Sequence, residues 1–226
     1  MHKMNKPINR HERKWVFNNL DYNQICIYLY KSNFFFKEHH QDRNVNSIYF
    51  DDINYSSIRQ NLDGVSKKKK YRLRWYGDFE TITNPVFEIK SKKSFDVKKE
   101  NYKLNNLNKI KLLNSNNIES IEKFINNSFN FKNKLHAILT THYKRGYFIS
   151  SNELIRATID TELKSIPLTS FQDRNIFRKY KEIILEMKYD LDLDKYVRDN
   201  VGDIAARFSK NSKFVNSAML VPDFLQ

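Results

Sequence analysis

A stretch of alternating cationic and apolar residues offers the clearest chemistry in the sequence. It reads Lys67-Lys-Lys-Lys-Tyr-Arg-Leu-Arg-Trp-Tyr76. Because successive side chains of a β-strand point to opposite faces, Arg72 and Arg74 share one face with Lys70 and Tyr76, and the residues between them share the other. A planar guanidinium can bind two phosphate oxygens at once. The pattern therefore predicts a strand with one anion-binding face and one face that packs in a core.

Other predicted strands repeat this arrangement and add a carboxylate two residues before a lysine. The three pairs are Glu12/Lys14, Glu88/Lys90 and Glu186/Lys188. Side chains two residues apart lie on the same face of a strand. Carboxylate oxygens are hard ligands that suit Mg²⁺ or Mn²⁺, which in turn bridge phosphate oxygens.

A solvated sheet face would explain any one of these strands. Six such strands, each with an apolar opposite face, instead favour an α+β protein built on an antiparallel β-barrel tunnel. Charges would line its interior and helices would cover its outside. Each buried cation without a counter-ion lowers the stability of the fold by roughly several kcal/mol. We therefore expect the interior to bind an anion. A linear phosphate chain fits such a barrel and a nucleic-acid duplex does not.

Composition narrows the class of protein further. The chain has 226 residues, a formal net charge of +14, 40% hydrophobic residues and 4 Gly. We expect one globular domain over residues 1–226 with polyanionic partners. So few glycines exclude a glycine-rich phosphate loop. The six histidines show no zinc-ligand spacing, and Cys26 lies in an apolar run typical of a buried thiol.

Local patterns place the remaining elements. Strands are expected at 10–17, 46–51, 67–76, 86–92, 137–149, 154–160 and 181–188. A helix over 22–31 should begin after Asp21 as its N-cap, and another should span 196–207. Residues 97–135 are predicted to be a small helical insertion. No secretory signal and no apolar run of membrane-spanning length is recognisable, so a cytoplasmic protein is expected.

Seven short motifs occur in a characteristic order, and together they resemble the VTC domain. They are Arg10-His-Glu-Arg-Lys14, Ser47-Ile-Tyr-Phe-Asp51, Tyr71-Arg-Leu-Arg-Trp-Tyr-Gly77, Phe87-Glu-Ile-Lys90, Arg156-Ala-Thr-Ile-Asp-Thr161, Leu185-Glu-Met-Lys-Tyr189 and Phe208-Ser-Lys-Asn-Ser-Lys-Phe214. The VTC domain is the catalytic domain of the vacuolar transporter chaperone polyphosphate polymerase. It belongs with the triphosphate tunnel metalloenzymes and CYTH-like proteins. The resemblance covers roughly residues 9–215.

The resemblance implies a polyphosphate polymerase that transfers the γ-phosphoryl group of ATP to a growing polyphosphate chain with Mn²⁺ or Mg²⁺. Its implied catalytic residues are Arg72, Arg74, Lys90, Arg145, Arg156 and Glu186. Further implied substrate-binding residues are Arg10, Lys14, Lys92, Lys188, Lys210 and Lys213. The implied metal ligands are Glu186 and Glu12. Arg13 would replace the basic residue of the first strand if the register slipped by one, because a slip moves every side chain to the other face.

Several alternatives stay open at this point. The same residues would serve a triphosphatase that transfers the phosphoryl group to water, or a non-catalytic module that binds polyphosphate or inositol phosphates. Any one of Lys98, Lys99 and Lys213 could be a solvated surface lysine. Glu100 and Asn216-Ser217 depart from the family pattern, which leaves the product path less defined. A nucleic-acid partner is disfavoured because the apolar residues of the first motif point away from its arginines. A separately encoded membrane partner is possible, but nothing in the sequence indicates one.

Overall fold

A computed structural model describes residues 3–5, 10–93, 96–111, 115–168, 177–201, 209 and 211–219, and for residues 3–5, 10 and 115 it describes the backbone alone. The strands are β1 Lys3–Asn5, β2 Arg10–Phe17, β3 Lys37–Asp51, β4 Lys67–Tyr76, β5 Thr81–Ile82, β6 Val86–Lys93, β7 Asp96–Lys103, β8 Ile110–Lys111, β9 His136–Ile149, β10 Arg156–Pro167, β11 Arg178–Lys179 and β12 Ile183–Asp190. The helices are α1 Tyr22–Lys31, α2 Ser56–Leu62, α3 Ser115–Ser128, α4 Asp194–Asn200 and α5 Lys213–Ala218.

One large sheet dominates the structure. Its strand order is β1-β7-β6-β4-β3-β9-β10-β12-β2, with β11 on β10, and every pairing is antiparallel. No ladder of the described residues joins β2 to β1, but Lys90 on β6 lies within electrostatic range of Glu12 and Lys14 on β2. The sheet therefore curls until its distant strands face each other, and the predicted antiparallel tunnel is confirmed.

Helices cover the outer face of the sheet, as the apolar alternation predicts. Residues of α1 and α4 pack on the outer residues of β2, β9, β10 and β12, including Trp15 and Phe148. Residues of α3 pack on the outer residues of β4 and β6, including Trp75 and Phe87. Full burial of such side chains contributes roughly 1.5–3 kcal/mol each. This outer packing holds the strands in the orientation that turns their polar faces inward.

Local signals set several element boundaries where the sequence predicts them. Asp21 caps α1 through a reciprocal pair of hydrogen bonds with Gln24, at 2.8 and 2.9 Å. Gly77 adopts a φ of 94°, a left-handed conformation that ends β4. Trp75 Nε1 then donates to the carbonyl oxygen of Asp78 at 2.9 Å, which fixes the turn.

Three predicted segments differ from the structure. Residues 97–135 are not a purely helical insertion, because Asp96–Lys103 forms β7 and pairs with β6 before α3 begins. Strand β3 begins at Lys37 rather than at 46, and its first eight residues are exposed, so they show no apolar alternation. Of the helix predicted over 196–207, the structure has α4 over Asp194–Asn200, and positions 202–207 lie outside the described residues.

None of the helices described here has the length and apolar character needed to cross a bilayer.

Candidate anion-binding tunnel

Basic side chains from six strands and from α5 converge on the inner face of the curled sheet, which we call the tunnel. At least nine belong to this set: Lys14, Lys70, Arg72, Arg74, Lys90, Lys99, Arg145, Lys188 and Lys213. Four carboxylates lie among them: Glu12, Glu88, Asp160 and Glu186. Cations thus outnumber carboxylates within the set, and the tunnel has a positive potential that attracts anions.

Glu88 organises the cations of β4 and β7. Its side chain is 6% exposed and accepts hydrogen bonds from Arg72 Nε at 2.8 Å and, through a second short contact, from Arg72 Nη2. Arg74 Nη2 lies 3.2 Å from the same carboxylate, and Lys99 Nζ donates to it at 2.9 Å. Burial alone would raise the pKa of Glu88, but Arg72 and Lys99 outweigh it and lower that pKa. Glu88 therefore stays ionised and holds the arginines at fixed positions.

Asp160 forms a second cluster with residues distant in sequence. Its side chain is fully buried and accepts hydrogen bonds from Arg145 Nε at 2.5 Å and Nη2 at 2.7 Å. Lys213 Nζ of α5 donates at 2.5 Å to Asp160 Oδ2, the oxygen that also accepts from Arg145 Nη2. Burial opposes ionisation, but Arg145 and Lys213 together lower the pKa of Asp160. This carboxylate thus ties α5 to the wall of the tunnel.

Asp160→Asn should lower the free energy of unfolding at pH 7 by about 3 kcal/mol, because two cations lose a buried counter-ion. Added tripolyphosphate should stabilise this variant more than the wild type, since the anion replaces the lost charge. The lowered pKa of Asp160 contributes stability above its ordinary pKa of 3.8, so the difference between the two proteins should shrink in acid. Denaturant unfolding measures both effects, with Asp199→Asn on exposed α4 as the control. Equal stability at pH 7 would contradict this role.

Glu12 and Glu186 share the ammonium group of Lys14. Lys14 Nζ lies 2.6 Å from Glu12 Oε1 and 3.4 Å from Glu186 Oε2. Lys188 contacts Glu186 from the other side through a short ion pair. Burial raises the pKa of Glu186, but Lys188, Lys14 and Arg145 lower it well below its ordinary value. The two carboxylates are therefore both ionised and close enough to repel each other.

This pair of carboxylates fits a divalent cation. Magnesium is usually held by one or two carboxylates together with substrate phosphates and water, rather than by a cage made only of protein. No group of three or more His, Cys, Asp or Glu side chains gathers in the part of the chain that the structure describes. Glu12 and Glu186 would supply two hard oxygen donors, with Lys14 as the counter-ion when no metal is bound.

Lys70 is a partly buried cation whose charged neighbours are mainly other cations. Its Nζ donates to Ser212 Oγ at 2.9 Å. Burial, together with the charges of Lys90 and Lys14, lowers the pKa of Lys70 to about 7. Lys70 therefore loses its proton more readily than an exposed lysine does, and a bound phosphate chain would favour its charged form.

Binding of tripolyphosphate at pH 8 should take up protons, because phosphate oxygens raise the lowered pKa of Lys70. Calorimetric titrations in Tris and in HEPES measure this uptake, which Lys70→Met should reduce by roughly one half or more. Between pH 7 and the ordinary value of 10.5, the unfolded chain binds more protons at Lys70 than the folded chain does. This group therefore makes the free protein more stable as pH rises through that window. Lys132→Met, at an exposed lysine, is the control. If proton uptake on binding were unchanged in Lys70→Met, Lys70 would not be the group that gains a proton.

Unpaired donors also face the tunnel. Ser47 Oγ, Arg74 Nε, Thr141 Oγ1 and Thr158 Oγ1 are buried and have no hydrogen-bond partner within the described structure. By register, Ser47 lies opposite both Arg74 and Thr141, and Thr158 lies opposite Glu186. Buried donors without partners are costly, by roughly 1–3 kcal/mol each, and native proteins normally satisfy them. Their position indicates a ligand rich in acceptor oxygens.

Helix α5 occupies one end of the tunnel. The ring of Phe214 stacks on Tyr49 with centroids 4.9 Å apart, and Ser217 Oγ lies 2.5 Å from Ser165 Oγ. Tyr49 and Ser165 belong to the inner face, because they lie opposite Arg72 and Thr141 in the strand registers. The described part of α5 therefore narrows the tunnel near Lys70.

The structure brings together most of the residues predicted for the site. Those on the inner face are Glu12, Lys14, Arg72, Arg74, Lys90, Arg145, Glu186, Lys188 and Lys213. Arg156 and Lys92 share that face but are exposed near its two ends. The side chain of Arg10 and the whole of Lys210 lie outside the described residues.

Arg13 points away from the tunnel, so the one-residue register slip does not occur. It contacts Tyr189 and Asp194 on the outer face, with Arg13 Nη2 lying 2.6 Å from Asp194 Oδ1. Lys14 pairs with Glu186 across the two strands and faces inward. The outward salt bridge of Arg13 also attaches α4 to the sheet.

Sequence reasoning did not assign Asp160, Lys70 or Lys99 to the site. Asp160 could have been suspected because it shares the predicted inner face with Arg156. Lys99 was open to interpretation as a solvated lysine, since its strand was not recognised. Lys70 lies in the first basic motif and shares the predicted face of Arg72 and Arg74, but Lys68 shares that face too, so the alternation alone does not place Lys70 in the site.

Comparison with solved structures defines the class of fold. A candidate adenylate cyclase from Vibrio parahaemolyticus has a TM-score of 0.53 at 12% identity, over 91% of this chain and 95% of its own. One from Bacillus halodurans has a TM-score of 0.52 at 14% identity, over 92% and 98%. One from Hippeastrum, described as having a dominant triphosphatase activity, has a TM-score of 0.50 at 12% identity, over 94% and 98%. The protein thus has the triphosphate tunnel fold.

The family follows from the sequence itself. The model of the VTC domain family matches residues 9–221, which is nearly the whole chain. The protein therefore belongs to the VTC domain family, and the resemblance drawn from the ordered motifs is confirmed. No match was found among curated proteins.

Proposed function

We propose that this protein is a polyphosphate polymerase that transfers the γ-phosphoryl group of ATP to a growing polyphosphate chain. The observation that carries the proposal is the tunnel itself, in which at least nine cations face four carboxylates. Buried hydroxyl groups and one guanidinium nitrogen in the tunnel have no hydrogen-bond partner within the described structure, and they could donate to acceptor oxygens of a ligand. A linear phosphate chain supplies both the negative charge and the acceptors, and membership of the VTC domain family supports this substrate class.

The proposed roles follow from the clusters of side chains. Arg72 and Arg74 bind the phosphates from one wall, held in place by Glu88. Arg145 binds them from another wall, held by Asp160. Phosphoryl transfer requires mainly positioning and neutralisation of charge, and preorganised guanidinium groups provide both. Arg156, near one end of the inner face, and Lys90, on β6, extend the same basic surface.

Glu186 and Glu12 are the proposed ligands of a divalent metal. Such an ion, when bound, neutralises charge on the phosphate oxygens and orients the triphosphate. Lys14 and Lys188 balance the two carboxylates when the metal is absent and can turn toward phosphate oxygens when it is present. This exchange of partners would let one site hold its shape both with and without substrate.

A triphosphatase is the second candidate, and one observation favours it. The Hippeastrum protein with the same fold is described as having a dominant triphosphatase activity. The two activities use the same walls and differ in whether a phosphate chain or water attacks the γ-phosphorus. Exclusion of water from the acceptor position decides between them.

Incubation of the purified protein with ATP and Mn²⁺ or Mg²⁺ tests the proposal. Polymerase activity should yield polyphosphate on a gel, with one ADP released for each phosphate residue added to the polymer. Free phosphate without polymer would instead establish the triphosphatase. Tight binding of polyphosphate with no turnover in either metal would overturn both and leave a binding module.

A further inference from the structure

Two aromatic side chains lie beyond the arginines of β4 and β9 at one end of the tunnel. Tyr76, the last residue of β4, follows Arg74 on the inner face, and Tyr147 follows Arg145 on β9. Each tyrosine is therefore displaced by two residues, about 7 Å, from an arginine assigned to the phosphates. Tyr76 is 40% exposed and Tyr147 is half-buried.

Arg43 on β3 lies close to both rings. Its guanidinium carbon is 5.9 Å from the ring centroid of Tyr76 and 5.8 Å from that of Tyr147. The strand register places Arg43 opposite Arg145, on the inner face, and the residue is exposed. We call Arg43, Tyr76 and Tyr147 the aromatic mouth.

The chemistry of the aromatic mouth differs from that of the tunnel walls. Phosphate sites are built from donors and cations, whereas flat rings and a flat guanidinium offer stacking surfaces to a nucleobase. Arg43 contacts the two rings, and no carboxylate ion pair to it is found within the described residues. Along β4, Tyr76 lies four residues beyond Arg72, whose partner Tyr49 stacks on Phe214 of α5, so the mouth and α5 lie toward different ends of that strand.

We propose that the aromatic mouth binds the base of the nucleotide, so that the triphosphate enters the tunnel with its γ-phosphate foremost. This inference rests on the proposed function and adds the nucleoside subsite to it. The triphosphate then lies between Arg74 and Arg145, and the ribose spans the distance from these residues to Tyr76 and Tyr147. Because stacking does not read the edge of the base, ATP and GTP should bind with similar affinity.

The test compares ATP with tripolyphosphate, which has the same phosphate groups and no nucleoside. Calorimetry on the metal-free protein should give a Kd for ATP about tenfold higher in Arg43→Ala and in Tyr147→Leu, with the Kd for tripolyphosphate within about twofold of the wild type. Tyr147→Phe keeps the ring and should keep wild-type affinity for ATP. Lys37→Ala, an exposed cation on the same strand, is the control.

Two results would overturn the inference. If Arg43→Ala weakened both ligands equally, Arg43 would be a phosphate ligand and not part of a base subsite. If ATP binding did not change in Arg43→Ala or Tyr147→Leu, the mouth would not bind the nucleoside. Failure of the wild type to bind either ligand, with or without Mn²⁺, would instead remove the proposed function itself.

Discussion

Replacing Glu186 by glutamine should reduce turnover of ATP by at least about 100-fold, because the metal loses an anionic oxygen ligand while the shape of the side chain is kept. Glu186 is nearly fully buried, and Lys188, Lys14 and Arg145 hold its pKa well below the ordinary value. It therefore carries a full negative charge at every pH at which activity would be measured. Steady-state rates with Mn²⁺ and Mg²⁺ are the measurement.

Metal-free binding separates loss of the metal site from loss of the tunnel. Removal of one carboxylate makes the tunnel more positive and deprives Lys14 and Lys188 of one ionic contact each, so tripolyphosphate should bind Glu186→Gln as tightly as the wild type or more tightly. Glu119→Gln, on the exposed surface of α3, is the matched control. Wild-type turnover in a folded Glu186→Gln protein would rule out the proposed metal site.

Arg74→Ala should weaken binding of ATP and of tripolyphosphate by about 10- to 100-fold with little change in thermal stability. A charged hydrogen bond contributes roughly 1.5–3 kcal/mol, which corresponds to that range of affinity. Within the described structure, Arg74 Nε has no hydrogen-bond partner, and Arg74 Nη2 lies 3.2 Å from Glu88. Few internal contacts are lost with this side chain, so its removal should affect mainly the ligand.

Arg72 provides the contrast. It donates from two nitrogen atoms to Glu88 and lies over the ring of Tyr49, with its guanidinium carbon 5.9 Å from the centroid. Arg72→Ala should therefore lower both affinity and melting temperature, since Glu88 loses its principal partner.

Two further variants complete this comparison. Arg74→Lys keeps the charge but loses the planar fork and should fall between wild type and Arg74→Ala in affinity. Arg59→Ala, exposed on α2, serves as the control. If Arg74→Ala bound both ligands as the wild type does, the arginines of β4 would not be phosphate ligands.

Much of the fold could be predicted because alternation is a local property. The inner and outer faces of β4, β6, β10 and β12 could be assigned because side chains alternate between the two faces of a strand. Leu73 and Trp75, on the predicted apolar face of β4, are fully buried, as that assignment requires. Strand β7 was missed because its inner residues are mixed and its outer face is only partly buried. Its pairing with β6 decides its structure, and pairing between strands leaves no periodic signal when neither face is clearly apolar.

The sequence by itself determined the strands, the faces that carry charge and the family, because these depend on neighbouring residues and on ordered motifs. Only the tertiary structure decided which charges meet. Glu88 pairs with Lys99 of β7 in addition to the arginines of β4, and Asp160 pairs with Lys213 of α5. Arg43 reaches Tyr76 and Tyr147 only because β3 lies between β4 and β9. Such contacts depend on strand register, sheet curl and helix docking, which act over distances that local sequence patterns do not encode.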